Sequence, residues 1–73
     1  MYKYKVLVSF KHKNNIGNNA DYSKVFTITA NDKTSMIRQL KKRVSVVLYD
    51  LSYGDGSYRA SISKIEKFQI NYR

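Results

Sequence analysis

Tyr2, Tyr4, Val6, Val8 and Phe10 occupy even positions in the first segment of the chain, with Lys3, Lys5, Ser9 and Lys11 at odd positions among them. Successive side chains of an extended backbone point to opposite faces, so this period of two specifies a β-strand with one apolar face. Such a strand cannot stand alone. It needs hydrogen-bonded neighbours and a second layer over its apolar side.

Both are legible further along. His12 to Asp21 contains Asn14, Asn15, Gly17, Asn18, Asn19 and Asp21, residues that tolerate left-handed backbone or bond their own main chain, and it reads as a loop longer than a tight hairpin. Tyr22 to Ala30 is β-branched and aromatic, with Phe26, Ile28 and Ala30 on one face and Ser23, Val25, Thr27 and Thr29 on the other; it reads as a second strand, antiparallel to the first. Asn31-Asp32-Lys33-Thr34-Ser35 then offers several N-cap side chains. Beyond it Met36, Ile37, Leu40, Val44, Val47, Leu48 and Leu51 recur at steps of three and four, which predicts one amphipathic helix over Thr34 to Asp50. Arg38, Lys42, Ser45 and Tyr49 share another face of that helix. Tyr53-Gly54-Asp55-Gly56-Ser57 permits the reversal that stops it.

In the last segment, Tyr58 to Arg73, Phe68, Ile70 and Tyr72 alternate with Lys67, Gln69, Asn71 and Arg73, so its end reads as a strand. Tyr58, Ala60 and Ile62 share one parity and Ile65 has the other. A bulge, a turn near Ser63-Lys64 or a short helical turn would each produce that break, and a strand with a break is the expectation adopted. The fold predicted is α+β: a two-layer β-β-α-β domain in which one helix covers one face of an antiparallel sheet of three strands, or four if the break divides the last. The even-numbered strand residues would form the core with the helix stripe.

The 73 residues contain no Cys, so neither a disulfide nor a thiolate metal site is available, and the single domain expected over residues 1–73 must be held by packing. At this size the balance against chain entropy is narrow, which a homodimer would ease. No run of residues is long and apolar enough for a membrane span, and the N-terminus lacks the apolar region of a signal peptide, so a cytoplasmic location is expected. Abundant Lys, Asn, Ile and Tyr, with no Pro or Trp, fit an AT-rich coding sequence such as that of a low-GC bacterium or one of its mobile elements.

Fourteen Lys and Arg against five Asp and Glu give a formal charge of +9. Charge of that density favours a polyanion, and nucleic acid, DNA or RNA, is the partner expected. Two candidate surfaces follow. The sheet face left open would present Lys3, Lys5 and Lys11, then Thr27 and Thr29, then Lys67, Gln69, Asn71 and Arg73, groups suited to phosphate oxygens and base edges. Arg38-Gln39-Leu40-Lys41-Lys42-Arg43 places Arg38, Lys41 and Lys42 in a basic helical run that could lie along a phosphate backbone. Each has a plainer explanation, because uncovered antiparallel sheet faces are polar and helical charge runs are commonly solvated. Tyr2, Tyr4, Tyr22 and Tyr72 share parity with Phe10, Phe26 and Phe68 and are expected in or beside the core, which leaves Tyr49, Tyr53 and Tyr58 for stacking on bases.

Catalysis has little to draw on. His12 is the single His, and Asp21, Asp32, Asp50, Asp55 and Glu66 are scattered, so no enzyme, cofactor or metal is expected. Gly54-Asp55-Gly56 follows the helix and cannot be a phosphate loop. No ribonucleoprotein-type aromatic signature, zinc finger or basic zipper is present. The alternative expectation is a non-enzymatic interaction module, for example a phage or mobile-element accessory protein that binds an acidic host protein or forms a homodimer.

Overall fold

The computed structural model describes residues 1–15, 17, 20–54 and 56–70. Three strands and one helix follow in the order β1 (Tyr2–His12), β2 (Tyr22–Ala30), α1 (Lys33–Ser52) and β3 (Tyr58–Gln69). They form one antiparallel sheet with spatial order β2-β1-β3, and α1 packs on one face, so the α+β two-layer reading holds. Tyr58–Gln69 is one continuous strand, and no fourth strand is found among the described residues.

The core is the even face of β1 pressed between its neighbours and the helix. Tyr4, Val6, Val8 and Phe10 are buried, joined by Phe26, Ile28 and Ala30 of β2 and by Met36 and Leu40 of α1. Ile37, Val44, Val47, Leu48 and Leu51 complete the helical stripe at its margin. Each large aliphatic or aromatic side chain fully buried here contributes about 1.5–3 kcal/mol of transfer free energy. Phe10, Ile28, Met36, Val6 and Val8 are the largest of these.

Local side chains fix the ends of the elements. Asp32 is the N-cap of α1, where its carboxylate accepts the Ser35 N–H at 2.8 Å. That bond, a second from the Ser35 hydroxyl and the charge of Arg38 hold its carboxyl below the usual carboxylate range. At the other end Tyr53 takes the left-handed conformation (φ 51°) and the Gly54 N–H reaches the Tyr49 carbonyl at 3.2 Å. Gly54 has φ 80°, and a Cβ there would come within 2.7 Å of the Tyr49 ring, so backbone freedom and close approach both require glycine. Asp21 closes the loop between β1 and β2, accepting the His12 N–H at 2.6 Å and the Asn15 side-chain amide at 3.0 Å. Asp55, read from sequence as a turn residue, lies outside the described residues.

The parity break in the last segment is a β-bulge. Leu7 pairs with Lys64 and Val8 with Ile62, which leaves Ser63 as the extra residue on β3. Its hydroxyl sits 2.6 Å from that of Ser9 on the face away from the helix. Before the bulge Ala60 and Ile62 stand opposite Phe10 and Val8, on the helix side; after it Ile65 and Lys67 stand opposite Val6 and Tyr4. The expectation that even-numbered residues of the last strand face the core is therefore corrected from Lys64 onward. Lys64, Glu66 and Phe68 lie on the open face, and Lys67 and Gln69 lie on the helix side. The cause is geometric, since one extra residue exchanges the two faces of everything after it.

Deleting Ser63 removes the bulge while leaving Ile62, Ile65 and Phe68 on the faces they now occupy. Thermal melting of that variant is expected to stay cooperative, with a loss near that of one exposed hydrogen bond, about 1 kcal/mol or less. Deleting Glu66 would instead invert Lys67 and Phe68, and its melting midpoint should fall further.

Candidate nucleic-acid interface

Among the described residues, no layer covers the face of the sheet opposite α1. β1 contributes Lys3, Lys5, Leu7, Ser9 and Lys11; β2 contributes Ser23, Val25, Thr27 and Thr29; β3 contributes Arg59, Ser61, Ser63, Lys64, Glu66 and Phe68. Strand pairing places Lys3 between Thr29 and Phe68, Lys5 between Thr27 and Glu66, and Lys11 opposite Arg59. Leu7 and Val25, direct partners, form a small apolar centre with Lys5, Lys64 and Glu66 around a hollow of about 220 Å³.

Five cations on this face meet one carboxylate, Glu66, and Lys64 lies 3.3 Å from it. Both side chains of that pair are solvent-exposed, so it contributes at most ~1 kcal/mol. The Lys5 ammonium stands 5.7 Å from the centroid of the Phe68 ring, within cation–π range. Lys11 donates to the Gly17 carbonyl at 3.3 Å and is turned toward the loop between β1 and β2. Lys3, Lys5 and Arg59 share this face, and among the described residues none of the three forms a salt bridge.

The other residues expected at an interface are distributed elsewhere. Lys67 is corrected from the open face to the helix side, where its ammonium lies 4.4 Å from the Tyr2 ring centroid beside Asn31 and Asp32. Gln69 follows it. Arg73, with Asn71 and Tyr72, lies outside the described residues. Arg38, Lys41 and Lys42 are exposed on α1, which packs on the opposite face of the sheet, so the sheet and helix groups do not form one surface. Arg38 and Lys41 border a shallow depression with Lys33, Thr34 and Ile37.

Two members of the basic helical run are engaged in holding the fold. Arg43 donates to the Thr27 carbonyl at 2.9 Å and Gln39 to the Thr29 carbonyl at 3.3 Å, which covers part of the exposed backbone of edge strand β2. Among the tyrosines, Tyr49 and Tyr53 are exposed, and so is Tyr22, expected in or beside the core, whose ring centroid lies 5.7 Å from that of Phe10. Tyr58 is partly buried against the core with its ring edge on His12, centroids 5.2 Å apart, which corrects its assignment to the stacking set. Phe68, expected in the core, is 43% exposed on the open face. Sequence reasoning left Arg59, Lys64 and Phe68 out of the residues expected on the open face, and the change of parity between Ile62 and Ile65 is the signal that locates the latter two.

The Nδ1 of His12, the single His, accepts the Asn14 N–H at 3.1 Å, and the Asp21 carboxylate accepts its backbone N–H. No group of three metal-ligating side chains occurs among the described residues. No helix among the described residues is long and apolar enough to cross a membrane.

Arg43 and Lys42 are adjacent cations with different surroundings, and substitution separates them. Arg43→Ala is expected to cost about 1.5 kcal/mol in thermal or urea unfolding, the low end for a charge-assisted hydrogen bond because this one is exposed. Lys42→Ala should stay within about 0.5 kcal/mol of the unsubstituted protein.

No family model matches the chain, and no curated protein or solved structure matches it significantly.

Proposed function

We propose that this protein binds nucleic acid through the uncovered sheet face, with Lys3, Lys5, Arg59 and Lys64 contacting backbone phosphate. The observation that carries the reading is the composition of that face: five cations and six hydroxyl side chains surround one carboxylate, with no layer over them among the described residues. Ammonium and guanidinium groups neutralise phosphates and release counterions, while Ser and Thr hydroxyls donate to phosphate oxygens or base edges. The remaining charge on α1 raises the encounter rate without forming a second part of the same surface.

A second reading, docking of a protein partner, rests on a different feature. β3 pairs with β1 along one edge only, and beside it runs an apolar groove of about 380 Å³ whose walls include Ile37, Val44, Leu48 and Ile62. An extended acidic segment could add to that edge and meet Lys41 at the groove wall. A second copy is less suited, because each carries +9. Ile62→Asp separates the readings, since it spoils the groove and leaves the open face unchanged.

The test is a titration of labelled DNA and RNA, single-stranded and duplex, across a salt series. Four neutralised phosphates predict a slope of log affinity against log salt of about −2.8 on single strands and about −3.6 on duplex DNA. Lys3→Ala, Lys5→Ala, Arg59→Ala and Lys64→Ala should each flatten it by somewhat less than one. A salt-independent affinity, or loss of binding in Arg38→Ala and Lys42→Ala with the sheet variants unaffected, contradicts the assignment.

A further inference from the structure

We propose that the open face takes single-stranded nucleic acid specifically, with Phe68 as the platform on which an unpaired base stacks. The inference rests on the nucleic-acid reading above and names its substrate class. The carrying observation is the juxtaposition created by the Ser63 bulge: an aromatic ring 43% exposed, opposite Lys3 across the strand pair and under the Lys5 ammonium at 5.7 Å.

Duplex and single strand differ in what they offer such a ring. In a duplex the base faces are occupied by their stacked neighbours, so an exposed phenyl group gains nothing beyond contact with sugar and phosphate. An unpaired base has a free π-face, and aromatic side chains on sheet surfaces flanked by cations recognise it with little dependence on sequence. The surroundings of Phe68 supply the rest of such a site. Lys3 and Lys5, about 7 Å apart along β1, can hold backbone phosphates on either side of a stacked nucleotide. Thr27 and Thr29, opposite them on β2, offer hydroxyls at the reach of a base edge. Glu66 beside Lys5 is the one like charge that a phosphate would meet.

The exposure of Phe68 follows from the fold. With an unbroken alternation after Ile62 the ring would lie on the helix side of β3, among apolar neighbours. The bulge turns it away from that side and places Lys67 there, where it lies over the Tyr2 ring. A large aromatic held out of the core, on a face set with cations and hydroxyls, gives up burial free energy that the fold has little of.

The experiment compares wild type, Phe68→Leu and Phe68→Trp in titrations of oligothymidylate, oligouridylate and a mixed-sequence DNA duplex, each about 12 nucleotides or base pairs long. Wild type should prefer the single strands. Phe68→Leu should lose about 5- to 150-fold on them and retain its duplex affinity. Phe68→Trp should keep single-strand affinity, and its indole, the sole Trp of that variant, should be quenched on binding. The two homopolymers distinguish DNA from RNA, since the 2′-hydroxyl is the chief difference in what they present. Equal single-strand binding by wild type and Phe68→Leu, or an unquenched indole in a saturated complex, overturns the stacking role while leaving the phosphate contacts standing. Absence of wild-type binding to all three at low salt overturns the nucleic-acid reading itself. A concentration-dependent dimer lost in Phe68→Leu, shown by sedimentation, would assign the ring to a protein interface instead.

Discussion

β1 has hydrogen-bonded neighbours along both edges and a helix over one face, so Tyr4, Val6, Val8 and Phe10 meet protein on every side. The other elements are placed by reference to this strand. β2 brings Phe26, Ile28 and Ala30 alongside it, and α1 lays Met36 and Leu40 across both. The arrangement leaves the odd face of β1 in the solvent, and that is why Lys3 and Lys5 stand at the middle of an open sheet and not at a rim. In a chain of 73 residues without disulfides, this one packed seam supplies most of the stabilisation available.

The two edges of the sheet are treated differently. Along β2, Gln39 and Arg43 reach from the helix to backbone carbonyls, and this limits the exposed hydrogen-bonding edge. β3 has the Ser63 bulge, which disturbs the regular ladder, and a strongly charged set of side chains in Arg59, Lys64, Glu66 and Lys67. Both devices discourage uncontrolled strand pairing. In β3 the same bulge also decides the chemistry of the open face, because it selects Lys64, Glu66 and Phe68 for that face in place of Lys67 and Gln69.

Much of this was legible in the sequence where a single periodicity ran unbroken. The alternation in Tyr2 to Lys11 and in Tyr22 to Ala30 gave both strands and their buried faces, and all seven residues of the predicted helical stripe pack against the core. Asp32 and Gly54 marked the helix ends because capping and left-handed backbone select few residue types. The last strand was harder to read. Its parity changes at Ser63, and sequence alone leaves bulge, turn and helical turn open; extending the alternation back from Tyr72 therefore put Phe68 inside and Lys67 outside. The helical charge run failed to divide itself for a similar reason. Nothing local to Arg43 says that its guanidinium meets Thr27, sixteen residues earlier in the chain, while Lys42 meets solvent.

The chemistry of the open face depends on the side that Phe68 occupies, and proton–proton nuclear Overhauser spectroscopy reads that directly. Cross-peaks are expected from the Phe68 ring to the Lys5 side chain, and from the Lys67 side chain to the Tyr2 ring. Cross-peaks from the Phe68 ring to Tyr4 or to helix residues such as Ile37 and Leu40, with none to Lys5, would contradict the bulge and the interface built on it.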